Sequence, residues 1–503
     1  MGDRLSRLVA RITDILTPGE GLLEKSITGG IWMTLLNVSG RIFQILTVIV
    51  LARLLTPRAF GIVGIGMLII VGLQRLSKLG LDEALIYNKS ENVDRYLNTA
   101  WVMDGVRGAV IALLLFLTAP LIADFFREPT VADVLRVMAI GPLIYALKSP
   151  AIVYFRKDMK FGKEFAYEVT GEIVYFAVAV GYALLYPTFW ALAFGYIARE
   201  ATRTLMSYLL TGYRPWPAFK LELAREMFDY GKWITGGSIM NYIRNEGDDA
   251  FIGWILGSAS LGLYQMAYRL SNAPATEVTH VISRVTFPAY SQVQDDIPQL
   301  RAAFFKSVRF SAVVAAPMAV GIAVISPTFV MAVLGSEWMG MVVPMQLLAL
   351  YGLGRAYASS FGSVWMATGH ADYLTKLQAL TIVLMAIPLY PAVQAFGISG
   401  AALVIAVVYV GIMLPIDSYL AVKAVDGSLR RLATEFAYPL PAAGFMGVVV
   451  LLVQETVTGL PVYVDLPLLI LVGAVSYVLA VAVMERSSSW GIIREVRDLR
   501  RSI

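Results

Sequence analysis

Residues 31–53 read IWMTLLNVSGRIFQILTVIVLAR, an apolar run with Arg41 midway along it. An apolar helix of about twenty residues crosses the hydrocarbon core of a bilayer. A charge at the centre of that core costs roughly 2.5–3.5 kcal/mol on insertion scales. Other apolar runs repeat the pattern with Arg107, Arg199, Arg203, Arg244, Arg269 and Arg355. The sequence therefore predicts membrane-spanning helices around a cavity that receives an anionic ligand.

The composition excludes a soluble enzyme. Of 503 residues, 58% are hydrophobic and 15% are charged, and the mean hydropathy is +0.68. Soluble proteins have about 45–50% apolar and about 25% charged residues. The chain has no Cys and two His, His280 and His370, so neither a disulfide, a thiolate site nor a His-based metal cluster is expected. A polytopic helical membrane protein is predicted.

Fourteen apolar runs are long enough to cross a bilayer. Their approximate limits are 28–54, 60–87, 97–123, 131–155, 164–186, 189–211, 229–257, 260–288, 305–334, 341–368, 372–394, 397–423, 432–454 and 464–485. With a cytoplasmic N-terminus, this count puts most basic residues inside, and the outer loops hold only Arg58 and Arg127. The asymmetry follows the positive-inside rule, so both termini are expected in the cytoplasm. The first 27 residues lack the apolar core of a signal peptide.

An internal repeat divides the chain into two lobes. Residues 51–61 (LARLLTPRAFG) align without gaps on residues 252–262 (IGWILGSASLG), an offset of 201 residues that also places Trp32 on Trp233. Repeats of six spans lie parallel in the membrane. The predicted divisions are a cytoplasmic amphipathic segment 1–27, an N-lobe 28–211 of spans one to six, a cytoplasmic linker 212–228, a C-lobe 229–423 of spans seven to twelve, spans thirteen and fourteen in 432–485, and a basic cytoplasmic tail 486–503.

Three stretches carry a family resemblance: residues 51–61, GLYQMAYRL at 262–270 and RVTFPAYS at 284–291. They resemble flippases of the Wzx and polysaccharide-transport type, in the multidrug/oligosaccharidyl-lipid/polysaccharide (MOP) exporter superfamily. The resemblance implies an all-α polytopic membrane protein with fourteen transmembrane helices. Two six-helix lobes would form a V around a central cavity, with two extra C-terminal helices.

The resemblance also implies a diphosphate site. Lipid II flippases of the same superfamily carry arginines in spans one, two and eight that are implicated in diphosphate binding, and the similar positions here are Arg41, Arg75 and Arg269. Guanidinium groups stay charged and bind phosphate oxygens in bidentate fashion. The predicted residues for diphosphate or glycan binding are Arg41, Arg269, Arg355, Arg199, Arg203, Arg107, Arg244 and Arg75. Spans thirteen and fourteen form a lipid-tail groove in those relatives, and the same role is implied here.

Salt bridges that only lock the bundle are the alternative for some of these arginines. The pairs within one helical turn are Arg107 with Asp104, Arg244 with Asp248, and Arg203 with Glu200. Arg41 and Arg355 have no acid nearby in the sequence. A substrate role is therefore favoured for these two arginines.

Acidic residues within the spans are the candidates for ion coupling: Asp249, Asp248, Asp104, Glu172 and Asp417. A carboxyl group in a low dielectric carries a proton readily, and it equally ligates Na⁺; a helix-to-helix salt bridge is the alternative for each. No phosphate-binding glycine loop ending in Lys-Ser/Thr is found, so ATP hydrolysis by this chain is not expected. No cofactor or resident metal is predicted beyond coupling by Na⁺ or H⁺.

These observations predict a flippase rather than an enzyme. Its substrate would be a polyprenyl-diphosphate-linked oligosaccharide, moved from the cytoplasmic to the outer leaflet of a prokaryotic cytoplasmic membrane by alternating access. The expected partners are this lipid, membrane lipids and polysaccharide polymerase machinery, with no nucleic acid and a monomeric transport unit. A cation-coupled drug exporter of the same superfamily is the first alternative, although its cavity would be acidic or neutral. A membrane glycosyltransferase or ligase is the second alternative, although the outer loops are too short for a catalytic domain.

Overall fold

The computed structural model describes residues 22–77, 94–457 and 460–486. Most of the predicted amphipathic segment 1–27 and nearly all of the basic tail 486–503 lie outside the described residues. The described residues form helices and turns and contain no strand. The all-α prediction is therefore confirmed for the part of the chain that the structure describes.

The chain folds as two compact units, Met1–Ala259 and Ser260–Ile503. The described helices of the first unit are α1 (Leu22–Leu54), α2 (Pro57–Leu76), α3 (Asp94–Phe125), α4 (Thr130–Met138), α5 (Ile140–Ala146), α6 (Val153–Lys157), α7 (Phe161–Leu185), α8 (Trp190–Thr211) and α9 (Leu221–Leu256). Helix α9 thus begins inside the predicted linker 212–228. It contacts α2, where the Tyr242 hydroxyl donates a hydrogen bond to the Leu68 carbonyl oxygen at 2.6 Å.

The described helices of the second unit follow a similar order. They are α10 (Ser258–Gln292, which begins at the end of the first unit), α11 (Ile297–Phe329), α12 (Val342–Tyr357), α13 (Phe361–Ala367), α14 (Asp372–Ala406), α15 (Leu414–Ala424), α16 (Leu429–Thr434), α17 (Pro439–Thr456) and α18 (Val462–Arg486). Two π-helical turns, Val330–Leu334 and Val407–Met413, extend α11 and join α14 to α15. Single π turns within helices are frequent at functional sites.

Equivalent corners occur where the sequence repeat aligns. Helix α2 begins at Pro57. The side chain of the preceding residue, Thr56, accepts a hydrogen bond from the Ala59 backbone N–H at 3.4 Å. Thr before the first turn and Pro within it are strong helix-start signals. Helix α10 begins at Ser258, 201 residues later, after Gly257 turns the chain with φ of 83°. The two starts keep the offset of the repeat, although the local chemistry of the corners differs.

Seven described helical stretches are long and apolar enough to cross a membrane, or eight if the bent pair Thr130–Ala146 and Pro150–Lys157 is one span. The chain is therefore a multi-pass membrane protein, while the count of fourteen spans stays a prediction. One of the seven stretches, Asp372–Ala424, is broken at Gly397, whose φ is 59°. The predicted limits 372–394 and 397–423 meet at this break. Helix α8 is not among the seven; it contains Arg199, Glu200 and Arg203.

The last two long helices pack on the second unit. Ala442, Ala443 and Met446 of α17 form one apolar cluster with Leu469 and Tyr477 of α18 and Ala316 of α11. The Tyr477 hydroxyl donates to the Val313 carbonyl oxygen of α11 at 2.8 Å. Small residues at such contacts allow close approach of helices within a bilayer, where helix association depends on packing. Helices α17 and α18 are thus an integral layer of this unit.

Candidate functional site

Arg355 lies in the second unit among polar groups that are all neutral. Its Nη1 lies 3.5 Å from the Tyr268 hydroxyl and 3.4 Å from Oδ1 of Asn272, both on α10. Its guanidinium carbon lies 5.6 Å from the centre of the Tyr351 ring, one helical turn earlier on α12. The Tyr351 ring in turn packs edge-on against Tyr409 with centroids 4.9 Å apart. Three tyrosines and an asparagine therefore surround this partly buried cation.

Arg355 makes no ion pair with a carboxylate among the described residues. Hydrogen bonds to neutral oxygens and a ring face orient a guanidinium but leave its charge uncompensated. A charge that is removed from water without a counter-ion is costly. A phosphate oxygen would supply the missing negative charge and the strong acceptors. The arrangement therefore suits capture of an oxyanion, as predicted from the lack of a nearby acid in the sequence.

A second charged cluster joins α7 and α8 in the first unit, and we call it the Arg–Glu network. Its members are Glu168, Glu172, Arg199, Glu200 and Arg203. Nη2 of Arg203 contacts carboxylate oxygens of both Glu168 (2.5 Å) and Glu172 (3.1 Å). Arg199 contacts Glu200 at 3.1 Å and Glu172 at 3.7 Å. The expected pairing of Arg203 with Glu200 is wrong, because the partners of Arg203 come from the neighbouring helix.

Gly171 of α7 makes room for these arginines. A Cβ atom at this position would lie 2.9 Å from Cγ of Arg203 and 3.3 Å from Cγ of Arg199. The ring of Tyr196 lies 5.5 Å and that of Tyr175 lies 5.6 Å from the Arg199 guanidinium carbon. The aliphatic stems of both arginines therefore cross α7 at the glycine, and their charged ends reach the carboxylates on either side.

Arg107 forms the local pair that the sequence predicts. Its Nη2 lies 3.1 Å from Asp104, one turn earlier on α3, so the pair itself is confirmed, while a role of Arg107 in substrate binding stays a prediction. Arg107 also lines a groove of about 540 Å³ between the end of α2, α3 and Phe219. The other described lining residues are almost all aliphatic, among them Leu73, Val110 and Leu114.

The remaining predicted arginines lie on four different helices. Arg41 and Arg269 are exposed on α1 and α10, and Arg75 is exposed in the last turn of α2. Arg41 donates to the Gln44 side chain at 3.2 Å. Arg244 of α9 donates to Asn241 at 3.3 Å, and the alternative pairing with Asp248 is not among its described contacts. The six arginines outside the Arg–Glu network belong to both compact units, and a joint site formed by them stays a prediction.

The predicted acids have unequal surroundings. Asp417, on α15, has 8% of its surface exposed, and its Oδ1 has no hydrogen-bond partner among the described residues. Asp249 is buried and Asp248 is half-buried on α9, and both make interactions with other groups. Asp104 and Glu172 pair with arginines. Within the described residues, no group of three or more acidic or His side chains is arranged to hold a metal ion.

Sequence reasoning missed the groups that hold the arginines in place. Glu168 was not a candidate, although it lies one turn before Glu172 on the same face of α7. Tyr268 and Asn272 show the same four-residue spacing on α10, as do Tyr351 and Arg355 on α12. That spacing marks shared helix faces, but it does not reveal which faces meet. Lys148, buried and bonded to the Tyr145 hydroxyl at 2.7 Å, was missed as well.

Comparisons with known proteins agree with this fold. A family model described as "Polysaccharide biosynthesis protein" matches residues 50–343. The lipopolysaccharide biosynthesis protein WzxC of Escherichia coli (strain K12) is 27% identical over 412 residues, which are 82% of this chain and 83% of that protein. The succinoglycan biosynthesis transport protein ExoT of Rhizobium meliloti (strain 1021) is 26% identical over 329 residues, 65% of this chain and 66% of that protein.

A solved structure shares the architecture. The lipid II flippase MurJ in an inward closed conformation superimposes with a TM-score of 0.69, over 91% of this chain and 99% of that chain, at 14% sequence identity. Identity this low supports likeness of fold alone. The family match confirms the resemblance to polysaccharide-transport proteins, and the superposition shows that the expected fold extends over most of the chain.

Proposed function

This chain belongs to the polysaccharide biosynthesis protein family, and from that premise we propose that it flips a lipid-linked oligosaccharide across a membrane. The names of the two relatives refer to different polymers, lipopolysaccharide and succinoglycan. Because members of one family are named for such different glycans, we infer that they recognise the part that their substrates share. We take that part to be the polyprenyl diphosphate.

Arg355 is the observation that carries the proposal. A diphosphate cannot enter hydrocarbon without groups that replace its water, because an unpaired charge there is far too costly. Arg355 lies on a helix of the second unit with neutral oxygens and an aromatic face around it and no described counter-ion. A diphosphate that binds this guanidinium would be neutralised in part and fixed in orientation. The tyrosines beside it offer faces and hydroxyls suited to a sugar.

The same proposal covers the oligomeric state, the membrane topology, the partner and the ion coupling of the protein. The protein would work as a monomer in a prokaryotic cytoplasmic membrane, with fourteen spans, both termini in the cytoplasm and polysaccharide polymerase machinery as a partner. The headgroup would enter from the cytoplasmic side, and alternating access would then expose it outside. Na⁺ or H⁺ would drive the cycle. Asp417 is the best-supported acid for that role, because it is buried and its Oδ1 has no hydrogen-bond partner in the part of the chain that the structure describes.

Mass spectrometry of copurifying lipids tests the substrate class and the role of Arg355 together. Wild-type protein should retain a polyprenyl-diphosphate glycan, and Arg355→Gln should lose most of it, since the amide side chain is polar but carries no positive charge. Arg136→Gln is the matched control, because Arg136 pairs with Asp133 at 3.6 Å and is 40% exposed. Retention of phospholipids alone by the wild type would contradict the proposed substrate, and equal retention by Arg355→Gln would remove Arg355 from it.

A further inference from the structure

The groove along α3 in the first unit has walls that are almost entirely apolar. On α3 its lining follows two adjacent stripes with four-residue spacing, one of Val102, Val106, Val110 and Leu114 and one of Met103, Arg107 and Ile111. Side chains at this spacing lie above one another on one helix face. Val106 and Val110 are 59% and 49% exposed, and Arg107 pairs with Asp104. The groove therefore accepts a linear apolar chain and presents no net charge to it.

The length of the groove matches one leaflet of a bilayer. Helix α3 is long and apolar enough to cross a membrane, and the groove follows it from Val102 to Leu114. These two positions are about 18 Å apart along the helix axis, and one half of the hydrocarbon core is about 15 Å thick. One acyl chain of a phospholipid therefore fits the groove, whereas a polyprenyl chain of many isoprene units would extend beyond its end.

The connection between α8 and α9 closes the surface end of the groove, where Phe219 joins the end of α2 in its lining. The backbone of this connection is held on the first turns of α3. The Trp216 backbone N–H donates to Oδ1 of Asn98 at 2.9 Å, and the Lys220 backbone N–H donates to the Thr99 hydroxyl oxygen at 3.4 Å. The side chains of Trp216 and Phe219 nevertheless stay 74% and 52% exposed. Exposed aromatic rings at the end of a spanning helix are suited to the membrane–water interface.

The same connection carries positive charge to this end of the groove. Residues 212–221 contain Arg214 and Lys220 and no acidic residue. Arg214 donates to the Tyr208 carbonyl oxygen at 3.0 Å and lies over the Tyr208 ring at 5.5 Å, so both of these contacts are neutral. Lys220 is exposed, and its side chain makes no ion pair with a residue that the structure describes. Each basic residue close to an anionic membrane surface strengthens binding about fivefold. The two charges therefore favour an anionic headgroup over a zwitterionic one.

We propose that the groove and residues 212–221 form a binding site for an anionic glycerophospholipid of the surrounding bilayer. One acyl chain lies along α3, and Lys220, which directly follows Phe219 at the mouth of the groove, binds the phosphate. Arg214 adds to the positive charge there, and Trp216 lies at the level of the headgroups. This inference goes beyond the proposed function, because the lipid is a resident of the protein rather than its cargo. The bound lipid would tie α3 to the connection that precedes α9.

Photo-crosslinking of the full-length protein in nanodiscs tests the site. The probe is phosphatidylglycerol with a diazirine in the middle of one acyl chain, added in trace amount to a phosphatidylcholine bilayer. The comparison probe is phosphatidylcholine with the same chains, and mass spectrometry of peptides measures the labelled fraction of residues 102–114. In wild type, the phosphatidylglycerol probe should label this segment about tenfold more than the phosphatidylcholine probe, because two basic residues favour the anionic headgroup.

Lys220→Gln tests the headgroup contact and should lower the preference for phosphatidylglycerol about fivefold, the contribution of one basic residue. Lys160→Gln is the matched control, because Lys160 is exposed but pairs with Asp158 at 2.7 Å. It should keep the preference of the wild type. An equal preference in Lys220→Gln and wild type would overturn the phosphate contact.

Val110→Trp tests the groove itself. The indole ring should fill the groove and lower labelling by the phosphatidylglycerol probe at least fivefold. Leu117→Trp is the matched control, because Leu117 is 62% exposed on the same helix and does not line the groove; its labelling should equal that of the wild type. Thermal unfolding in phosphatidylcholine nanodiscs shows whether both variants fold. If Val110→Trp does not fold, Lys220→Gln, which changes an exposed side chain, decides the test.

Competition identifies the source of the chain. An excess of unlabelled phosphatidylglycerol should displace the probe, and polyprenyl phosphate at the same concentration should not. Equal labelling of wild type by the two probes, or unchanged labelling of a folded Val110→Trp, would overturn the proposal. Displacement by polyprenyl phosphate would assign the groove to the cargo and overturn the resident phospholipid. None of these results depends on flipping, so a failed flipping assay would contradict the proposed function and leave this site standing.

Discussion

Arg355 and Arg203 hold their charges in opposite ways. Arg355 lies among neutral oxygens and a tyrosine ring, whereas Arg203 lies between two carboxylates. Removing one partner of a buried ion pair strands the other charge, while removing an unpaired charge relieves a cost. The two arginines should therefore respond oppositely to neutralisation in the absence of substrate.

Thermal unfolding of the lipid-free protein checks this contrast. Arg355→Gln should leave Tm unchanged or raise it, because the side chain no longer carries an uncompensated charge and loses only two long contacts, at 3.5 and 3.4 Å. Arg203→Gln should cost roughly 1–3 kcal/mol, because Glu168 and Glu172 lose a shared donor. A marked fall in Tm for Arg355→Gln would mean that this arginine has a structural counter-ion and would weaken its assignment to substrate.

The sequence allowed prediction of Arg355 but not of the contacts of Arg203. No acid lies within a helical turn of Arg355, and that absence is visible in a single chain. The partners of Arg203 lie on α7, about thirty residues earlier, and only helix packing brings them together. Spacing within one helical turn indicated Glu200 as the partner of Arg203, but Glu200 contacts Arg199 in the structure.

At the scale of elements, α14 is shaped by a glycine corner. Gly397 has φ of 59° inside the continuous stretch Asp372–Ala406. Three residues later, a Cβ atom at Gly400 would lie 2.0 Å from the Ala392 carbonyl oxygen, so the backbone must shift to accept one. The corner separates two apolar segments that the sequence predicted as separate spans.

Gly400→Ala should therefore destabilise the protein, by roughly 1–3 kcal/mol if the cost resembles that of overpacking. Gly444→Ala on α17 is the control, because a Cβ atom there has nothing within 4 Å; it should be neutral or stabilising, since alanine favours helices. Chemical or thermal unfolding of both variants checks the difference. Equal stabilities would indicate that the corner relaxes easily.

A carboxylate joins three elements at the end of α3. Glu128 accepts hydrogen bonds from Arg58 (2.8 and 3.2 Å), Ser258 (2.7 Å) and Thr130 (3.2 Å). Burial alone would raise the pKa of Glu128, but the bonds from Arg58 and Ser258 outweigh it and lower the pKa below the usual value of 4.5. The folded state therefore favours the ionised carboxylate.

This lowered pKa has a definite sign for stability. The ionised Glu128 stabilises the folded state fully above its unfolded pKa, and that stability is lost as pH falls through the lower folded pKa. Glu128→Gln should be less stable than wild type at neutral pH by roughly 1.5–3 kcal/mol. The gap in Tm between the two should shrink as the pH falls below about 4.3. A gap that stays constant with pH would contradict the lowered pKa.

Helix ends and breaks were predictable where the type of residue determines the backbone conformation. Thr56, Pro57 and Gly397 mark helix ends or breaks in the sequence, and the structure has ends or breaks there. The predicted span 131–155 is instead bent by 66° between Ala146 and Pro150. Its apolar run is continuous, so hydropathy alone did not reveal the bend; Ser149 is extended before Pro150, as residues before proline prefer.

At the scale of the whole molecule, the orientation in the membrane is a prediction from basic residues. The absence of cysteine makes it testable by single-cysteine labelling. Lys157 and Thr188 are exposed and flank α7, a stretch long and apolar enough to span. Lys157→Cys should react with an impermeant maleimide only from the cytoplasmic side, and Thr188→Cys only from outside. Reaction of both from one side would contradict the orientation and the span.

Two compact units of helices with separate charged clusters make up the described protein. Arg355 makes no ion pair with a carboxylate among the described residues, whereas Arg199 and Arg203 of the Arg–Glu network each contact two glutamates. In the proposed function, the protein moves a lipid-linked glycan across a bilayer.

The direct test is flipping of a labelled lipid-linked oligosaccharide in reconstituted vesicles, followed by the accessibility of the glycan to a membrane-impermeant reagent. Wild-type protein and Arg136→Gln should transfer the glycan between leaflets well above the rate in protein-free vesicles. Arg355→Gln should fall at least tenfold below wild type. A wild-type rate equal to that of empty vesicles would contradict the account, whatever lipids copurify with the protein.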